Sequence, residues 1–273
     1  MGAASAENLQ RIKVDGVELD INEQGSGPPL LFLHPGHPLG RFAHDEPALG
    51  ALAKSFRVIA PTHPGFGHAD APKWMTSVDD LAYFYLDLLN ELDLNGVVLV
   101  GASFGGWIAA EIAVKSTARL SRLVLANPVG IKIGDRETRD FVDIYSIFDK
   151  EIAELAYADA AAGTPDIPNL SDETLFHMAR SREATARYGW SPFLHNPKLK
   201  SRLHRIDIPT LVLYGEADRI TRDGYCRAYA DCIPGAQFKP MKDAGHFPHK
   251  ETPDAFAQAV ANFVVRKDKE LVS

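Results

Sequence analysis

Short apolar runs alternate along this chain with stretches in which apolar residues recur every three or four positions. Leu30–Leu33, Val58–Ala60, Val97–Val100, Leu123–Ala126 and Thr210–Tyr214 are unbroken, β-rich and bounded by Gly, Pro or charge, the pattern of strands buried on both faces of a parallel sheet. Between them Val78, Leu81, Tyr85, Leu88 and Leu92 keep helical spacing, and Ser77-Val78-Asp79-Asp80 supplies a capping box at the start of that helix. A second helix is predicted over Phe104–Lys115, and a last one carries Phe256, Val260 and Phe263 on one face. Strand, helix, strand alternation of this kind specifies an α/β doubly wound sheet.

The alternation stops between about Ile131 and Arg205. There helical patterns, Phe141 to Ala160 and Asp172 to Tyr188, follow one another with no strand between them, and Gly163-Thr164-Pro165-Asp166-Ile167-Pro168 marks a turn. The expected organisation is a core whose first part spans 1–130, a helical cap inserted over 131–205, and the second part of the core over 206–273. A length of 273 residues suits one such core with an insertion. There is no internal repeat and no low-complexity segment.

Composition narrows the function classes. Hydrophobic residues at 45% and charged residues at 24% are ordinary globular usage, far from the signature of disorder. A formal charge of −7 without a Lys/Arg cluster excludes a polyanion partner such as nucleic acid. The stretch Met1–Lys13 has neither a basic nor an apolar leader region, no run is long enough to span a bilayer, and Ala6 stands where N-myristoylation needs Ser or Thr. A cytoplasmic protein with a small-molecule substrate, no membrane and no nucleic-acid partner is expected, compatible with a homo-oligomer. Cys226 and Cys232 are too few for a disulfide framework or zinc site and read as reduced packing residues.

The chemistry concentrates at Val97-Val98-Leu99-Val100-Gly101-Ala102-Ser103-Phe104-Gly105-Gly106, an apolar strand running through Gly-x-Ser-x-Gly into a helix. A strand-to-helix turn this sharp leaves no room for flanking side chains and presents the central hydroxyl in strained geometry above the sheet. A phosphate-binding loop would instead need Gly-Lys-Ser/Thr at its end, and a dinucleotide fingerprint would need glycine at position 103. Ser103 is therefore the candidate nucleophile, and the amide of Phe104, at the positive end of the helix, a candidate oxyanion donor. Serine needs a base and an orienting acid, expected in the chain order Ser, Asp/Glu, His. Asp218 follows the strand Thr210–Tyr214 just past its carboxyl end, and His246 lies in the loop Asp243-Ala244-Gly245-His246-Phe247-Pro248. Glu216 is a rival acid two residues from Asp218. His177, His195, His204 and His249 read as solvated or packing residues, and His63 and His68, bracketing Pro64-Gly65-Phe66-Gly67, as structural ones.

From Gly27-Pro28-Pro29-Leu30-Leu31-Phe32-Leu33-His34 to Gly245-His246 and the closing helix, the chain resembles the α/β-hydrolase superfamily over nearly its whole length. The resemblance implies the α/β-hydrolase fold, a mostly parallel central sheet flanked by helices with an inserted helical cap. It fits Asp218 to the family's Gly-x-x-Asp acid and His246 to its Gly-His base. Some members carry the acid one strand earlier, where this chain has Asn127-Pro128, which cannot supply the charge. The resemblance also implies His-Gly-x-Pro after the first parallel strand, with the residue after glycine donating to the oxyanion. This chain has His34-Pro35-Gly36-His37-Pro38, and because proline has no N–H the second donor is Gly36 or His37. His37 is preferred, since Gly36-His37-Pro38 matches Gly-x-Pro.

These expectations describe a serine hydrolase that forms an acyl-enzyme and uses neither a metal nor an organic cofactor. Tyr145, Phe148, Phe176, Tyr188, Trp190 and Phe193 suggest an apolar pocket roof, with Tyr145, Phe148, Trp190 and Phe247 as substrate-binding candidates and a small or medium hydrophobic carboxylic ester as substrate. Serine at position 103 argues against dehalogenase and epoxide hydrolase chemistry, and the lack of His-Gly-Gly-Pro-Gly against a proline iminopeptidase. A meta-cleavage-type carbon–carbon hydrolase acting on a vinylogous diketone is the alternative enzyme, for which a cap arginine, Arg180, Arg182 or Arg187, would hold the substrate carboxylate. Those enzymes usually carry Trp where this chain has Phe247. A ligand receptor that retains the triad is the alternative outside enzymology.

Overall fold

The structure, a computed structural model, describes residues 9–36 and 46–265. Eight strands, β1 (Leu9–Val14), β2 (Val17–Gln24), β3 (Pro29–Leu33), β4 (Arg57–Pro61), β5 (Val97–Ala102), β6 (Leu120–Ala126), β7 (Thr210–Gly215) and β8 (Gln237–Met241), form one sheet. Its order is β1-β2-β4-β3-β5-β6-β7-β8. The six strands from β4 to β8 run parallel, and β1 and β2 form an antiparallel edge. After β3 the chain adds β4 on one side and then crosses to add β5 on the other, so the order reverses between β3 and β5. An open α/β sheet forms its ligand crevice beyond the carboxyl ends of strands at such a point.

Strand periodicity divides the core in two. Leu31, Leu33, Val97 and Leu99 point to one face, covered by α2 (Val78–Glu91), α3 (Phe104–Lys115) and α7 (Tyr225–Asp231). Their neighbours Leu30, Phe32, Val98 and Val100 point to the other, covered by α1 (Pro47–Leu52) and α9 (Pro253–Val265). The capping box forms as its residues dictate: Ser77 Oγ accepts from the Asp80 amide at 3.2 Å and Asp80 Oδ2 accepts from the Ser77 amide at 2.9 Å.

The hairpin β1–β2 escaped the pattern of long apolar runs. β1 is largely exposed, while β2 alternates, with Val17, Leu19 and Ile21 buried. Its signal is Asp15-Gly16, whose φ values of 45° and 80° are the left-handed conformations a two-residue hairpin turn requires.

Between β6 and β7 lie α4 (Asp149–Ala156), α5 (Ala160–Gly163), a 3₁₀ turn at Ile167–Asn169, α6 (Asp172–Gly189) and a second 3₁₀ turn at Lys200–Arg205. The helix expected from Phe141 starts only at Asp149. Tertiary contacts override the helical spacing there: the buried Asp140 carboxylate accepts from the amides of Ile133 (2.8 Å) and Gly134 (3.0 Å), and Phe141 forms an isolated antiparallel bridge with Thr221. α8 (Pro248–Glu251) is one turn following His246.

Two substitutions check this account. Ser77→Ala removes the cap of α2 and should cost about 1 kcal/mol, whereas Leu99→Ala, in the middle of the fully buried β5, should cost about 2–5 kcal/mol. Denaturant unfolding of both variants measures this. Equal small losses would contradict the assignment of β5 to the centre of the core.

Candidate active site

The turn from β5 into α3 sets Ser103 at φ 51° and ψ −112°, a conformation disfavoured for a residue with a side chain. Glycine makes it reachable. A Cβ on Gly101 would collide with the backbone of Gly105, one on Gly105 with the carbonyls of Leu33 and His34, and one on Gly106 would come 2.9 Å from Pro128 Cβ. Ser103 stands at the N-cap of α3 and is nearly buried, with 8% of its surface exposed.

Three loops at the carboxyl edge of the sheet bring Ser103, His246 and Asp218 into one chain of contacts. His246 Nε2 is 2.8 Å from Ser103 Oγ and His246 Nδ1 is 3.0 Å from Asp218 Oδ2. The acceptor-only carboxylate requires Nδ1–H on the imidazole, which leaves Nε2 to accept from the serine hydroxyl. Asp218 Oδ2 also accepts from Asn127 Nδ2 and Thr221 Oγ1, both at 2.9 Å, and Oδ1 from the Ile220 amide at 2.8 Å. Burial favours the neutral acid, yet the charge and hydrogen bond of His246, with the bonds from Asn127 and Ile220, outweigh it. The carboxyl titrates below the ordinary carboxylate range. Glu216, the rival acid, is exposed.

Asn127 was read from sequence only as a residue that could not be the acid. In the structure it is fully buried at φ 42°, donating to Asp218 and accepting from the Gly215 amide at 3.1 Å. The signal that could have found it is its place at the carboxyl end of β6, beside β7. Thr221 carried no sequence signal beyond lying three residues after Asp218.

The helical stretch between β6 and β7 reaches this site. The Ala156 carbonyl, at the end of α4, accepts from the His246 amide at 2.6 Å, and the Leu155 carbonyl from the Arg219 amide at 2.9 Å. These are carbonyls that a helix C-terminus leaves without intrahelical partners. Glu251 bridges the same junction, accepting from the amides of Gly245 (2.8 Å) and Ala158 (2.7 Å). Ile152, Ala153, Ala156 and Tyr157 pack there against Ile220 and Phe247 in a small separate apolar cluster.

A narrow, largely apolar cavity of about 30 Å³ opens on Ser103 and His246. Aliphatic side chains, Val129, Ile144, Ile152, Leu194 and Ile220, supply most of its walls, joined by Phe104 and Phe247. Phe247 lines the cavity, but Phe148 and Trp190 are 82% and 59% exposed and lie outside it. Phe148 sits at the N-cap of α4 facing solvent, and Trp190 packs edge-on to Tyr145 and Phe193 in an outer aromatic group. Tyr145 is also outside the lining, its hydroxyl donating to the Arg182 carbonyl at 3.1 Å. Gly36 is at the cavity wall, pressed so close to Phe104 that a Cβ would stand 3.1 Å from the Phe104 Cβ. Thr185 Oγ1 of α6 lies 2.6 Å from the Gly36 carbonyl, fixing that segment. His37 lies outside the described residues.

The sequence profile of the alpha/beta hydrolase family matches residues 30–259. The chain is 28% identical to the 2-hydroxymuconate semialdehyde hydrolase of Pseudomonas sp. (strain CF600), over 98% of each chain. It is 30% identical to the non-heme chloroperoxidase CPO-A1 of Kitasatospora aureofaciens, over 85% of this chain and 90% of that one. Similar folds are seen in the meta-cleavage product hydrolase of Pseudomonas fluorescens IP01, with TM-score 0.76 and 21% identity over 93% of this chain and 97% of that one. The esterase EaEST from Exiguobacterium antarcticum gives TM-score 0.74 and 20% identity over 94% and 99%.

The depressed Asp218 carboxyl predicts a pH signature. A carboxyl whose folded pKa is below its unfolded value of about 4 contributes stability that is present above that value and lost as pH falls through the lower folded one. Asp218→Asn lacks this contribution. The stability difference between wild type and variant, from urea unfolding, should be full at pH 5 and shrink below about pH 4. A difference constant down to pH 3 would contradict the assignment.

Proposed function

The chain belongs to the alpha/beta hydrolase family and is an enzyme, a hydrolase, and from that premise we propose that it cleaves a small or medium hydrophobic carboxylic ester through a Ser103–His246–Asp218 triad. The observation that carries the proposal is the continuous chain of contacts at 2.8 and 3.0 Å, set against an apolar cavity. Ser103 Oγ attacks the ester carbonyl carbon as His246 Nε2 takes its proton. Asp218 stabilises the imidazolium that forms, and the backbone amide of Phe104, with that of Gly36 or His37, holds the tetrahedral oxyanion. Collapse expels the alcohol, which takes the proton from His246 and leaves an acyl-Ser103. Water, deprotonated by the same imidazole, attacks the acyl carbon; the carboxylic acid leaves and Ser103 recovers its proton. Residues 131–205 act as the cap. Ile144, Ile152, Ala156, Thr185 and Leu194 from that segment line the cavity and shape which acyl or alcohol group enters.

A carbon–carbon hydrolase on a vinylogous diketone is the second reading, favoured by likeness over nearly the full length to the 2-hydroxymuconate semialdehyde hydrolase. Such a substrate carries a carboxylate, whose desolvation calls for a fixed cation. Among the described residues no arginine lines the cavity. Arg180 is bonded to Asp70 at 3.1 Å and to the Ala69 carbonyl at 3.0 Å, Arg182 is paired with Asp149, and Arg187 borders an outer groove beside Glu183. The ester reading therefore takes precedence.

A fluorophosphonate should label Ser103 stoichiometrically. Ser103→Ala should abolish labelling and lower kcat by about 10⁴–10⁶ while leaving the fold intact; labelling at another residue would sink the nucleophile assignment. Steady turnover, many products per chain, separates an enzyme from a receptor.

The two reactions are separated by kcat/KM. Short or aromatic acyl esters should be turned over faster than a meta-cleavage dienoate, and Arg180→Ala, Arg182→Ala and Arg187→Ala should each leave the preference unchanged. A preference for the dienoate that one of these substitutions selectively removes would overturn the ester reading.

A further inference from the structure

Away from the cavity, three metal-ligating side chains from two parts of the chain converge. His68 leaves the loop after β4, while Glu173 and His177 stand one turn apart on the same face of α6. Glu173 Oε1 is 3.7 Å from His68 Nε2 and 3.8 Å from His177 Nε2, and the three ligand atoms lie within 4.8 Å of one another. The two imidazole rings meet edge to face with centroids 4.3 Å apart. We propose that His68, Glu173 and His177 form a binding site for a divalent transition-metal ion of the Zn²⁺ class, the remaining coordination being taken by water.

The two contacts to the carboxylate need little adjustment. Zinc–nitrogen and zinc–oxygen bonds of about 2.0–2.2 Å place two ligands of a tetrahedral ion about 3.4 Å apart, so the two observed N···O separations have only a few tenths of an ångström to close. The side chains able to move are the exposed ones, His68 at 55% and Glu173 at 74%, whereas His177 is fixed at 7%. Arg180, three residues after His177 on α6, is bonded to Asp70 and the Ala69 carbonyl. Two imidazoles in a set of three select a borderline transition ion over Mg²⁺ or Ca²⁺, which take oxygen ligands.

The site joins α6 to the loop after β4, and α6 also carries Thr185 at the cavity wall. A bound ion would fasten that helix to the loop after β4. This consequence does not depend on which bond the enzyme cleaves.

The test uses the tag-free full chain, titrated with Zn²⁺ by calorimetry and with Co²⁺ by visible absorption, beside thermal unfolding with and without Zn²⁺. One site per chain is expected, with a rise in Tm because the ion binds the folded state. His68→Ala and Glu173→Gln should each weaken binding at least about tenfold and remove the Tm rise, and Mg²⁺ should give neither response. These two residues are exposed, so their variants should stay folded even if His177→Ala does not. Lack of saturable Zn²⁺ binding below about 1 mM, undiminished affinity in either exposed variant, or an equal response to Mg²⁺ would overturn the proposal.

Discussion

At the carboxyl edge of the sheet, backbone meets backbone with no room for a Cβ, and the site geometry depends on that constraint. A Cβ on Gly105 would strike the end of β3, one on Gly215 the carbonyl of Gly245, and one on Gly245 the carbonyl of Ala156. Glycine in such places costs conformational entropy on folding, and Ser103 in its left-handed conformation adds strain of about 1–3 kcal/mol. Both persist because the surrounding strands over-determine the position. The close approach draws the turn after β5, the loop after β7 and the loop before α8 near enough for three side chains to make consecutive hydrogen bonds. A single methyl at any of these glycines would push two loops apart.

The same edge explains why the inserted helices are part of the site and not an attachment to it. The Ala156 and Leu155 carbonyls bond the amides of His246 and Arg219, and Glu251 clamps Gly245 to Ala158 with one carboxylate. Burial raises the Glu251 carboxyl, and its bonds to the Ala158 and Gly245 amides pull in the opposite direction. The imidazole is thereby held from two sides. Asp218 fixes its Nδ1 and the end of α4 fixes its backbone, so small motions of α4 are felt at Nε2.

Much of this was legible in the sequence wherever local sterics decide. The parallel sheet, the helix Phe104–Lys115, the capping box at Ser77 and the elbow at Ser103 each follow from residues close together in the chain. The hairpin β1–β2 was missed because an exposed edge strand lacks a long apolar run, although Asp15-Gly16 marked its turn. The helix placed from Phe141 began too early because Asp140 and Thr221, remote partners invisible to periodicity, hold that segment as a loop. Asn127 was dismissed on charge, whereas its amide donates to Asp218 from the end of a neighbouring strand. Residue type likewise does not show which face of a helix turns inward: α6 turns Thr185 to the cavity while Trp190, at its C-cap, is left exposed.

A second histidine pair differs from His246 in the partners given to its ring nitrogens. His34 and His63 stack with centroids 3.7 Å apart beneath the Gly36 segment, and their hydrogen bonds fix every proton. His34 Nε2 accepts from the His63 amide at 3.0 Å, so its Nδ1, 2.8 Å from the Pro35 carbonyl, carries the hydrogen. His63 Nε2 donates to the His34 carbonyl at 2.9 Å, which leaves Nδ1 to accept from the Tyr85 hydroxyl. Burial, then His34, keeps the His63 pKa well below the usual range. Both rings are committed to backbone that shapes the cavity wall, and neither has a nitrogen to spare for a reacting hydroxyl. His246 differs because its Nδ1 is assigned to a carboxylate and its Nε2 faces Ser103. The difference between these imidazoles lies in the partner that each ring nitrogen is given, more than in the presence or burial of the histidine.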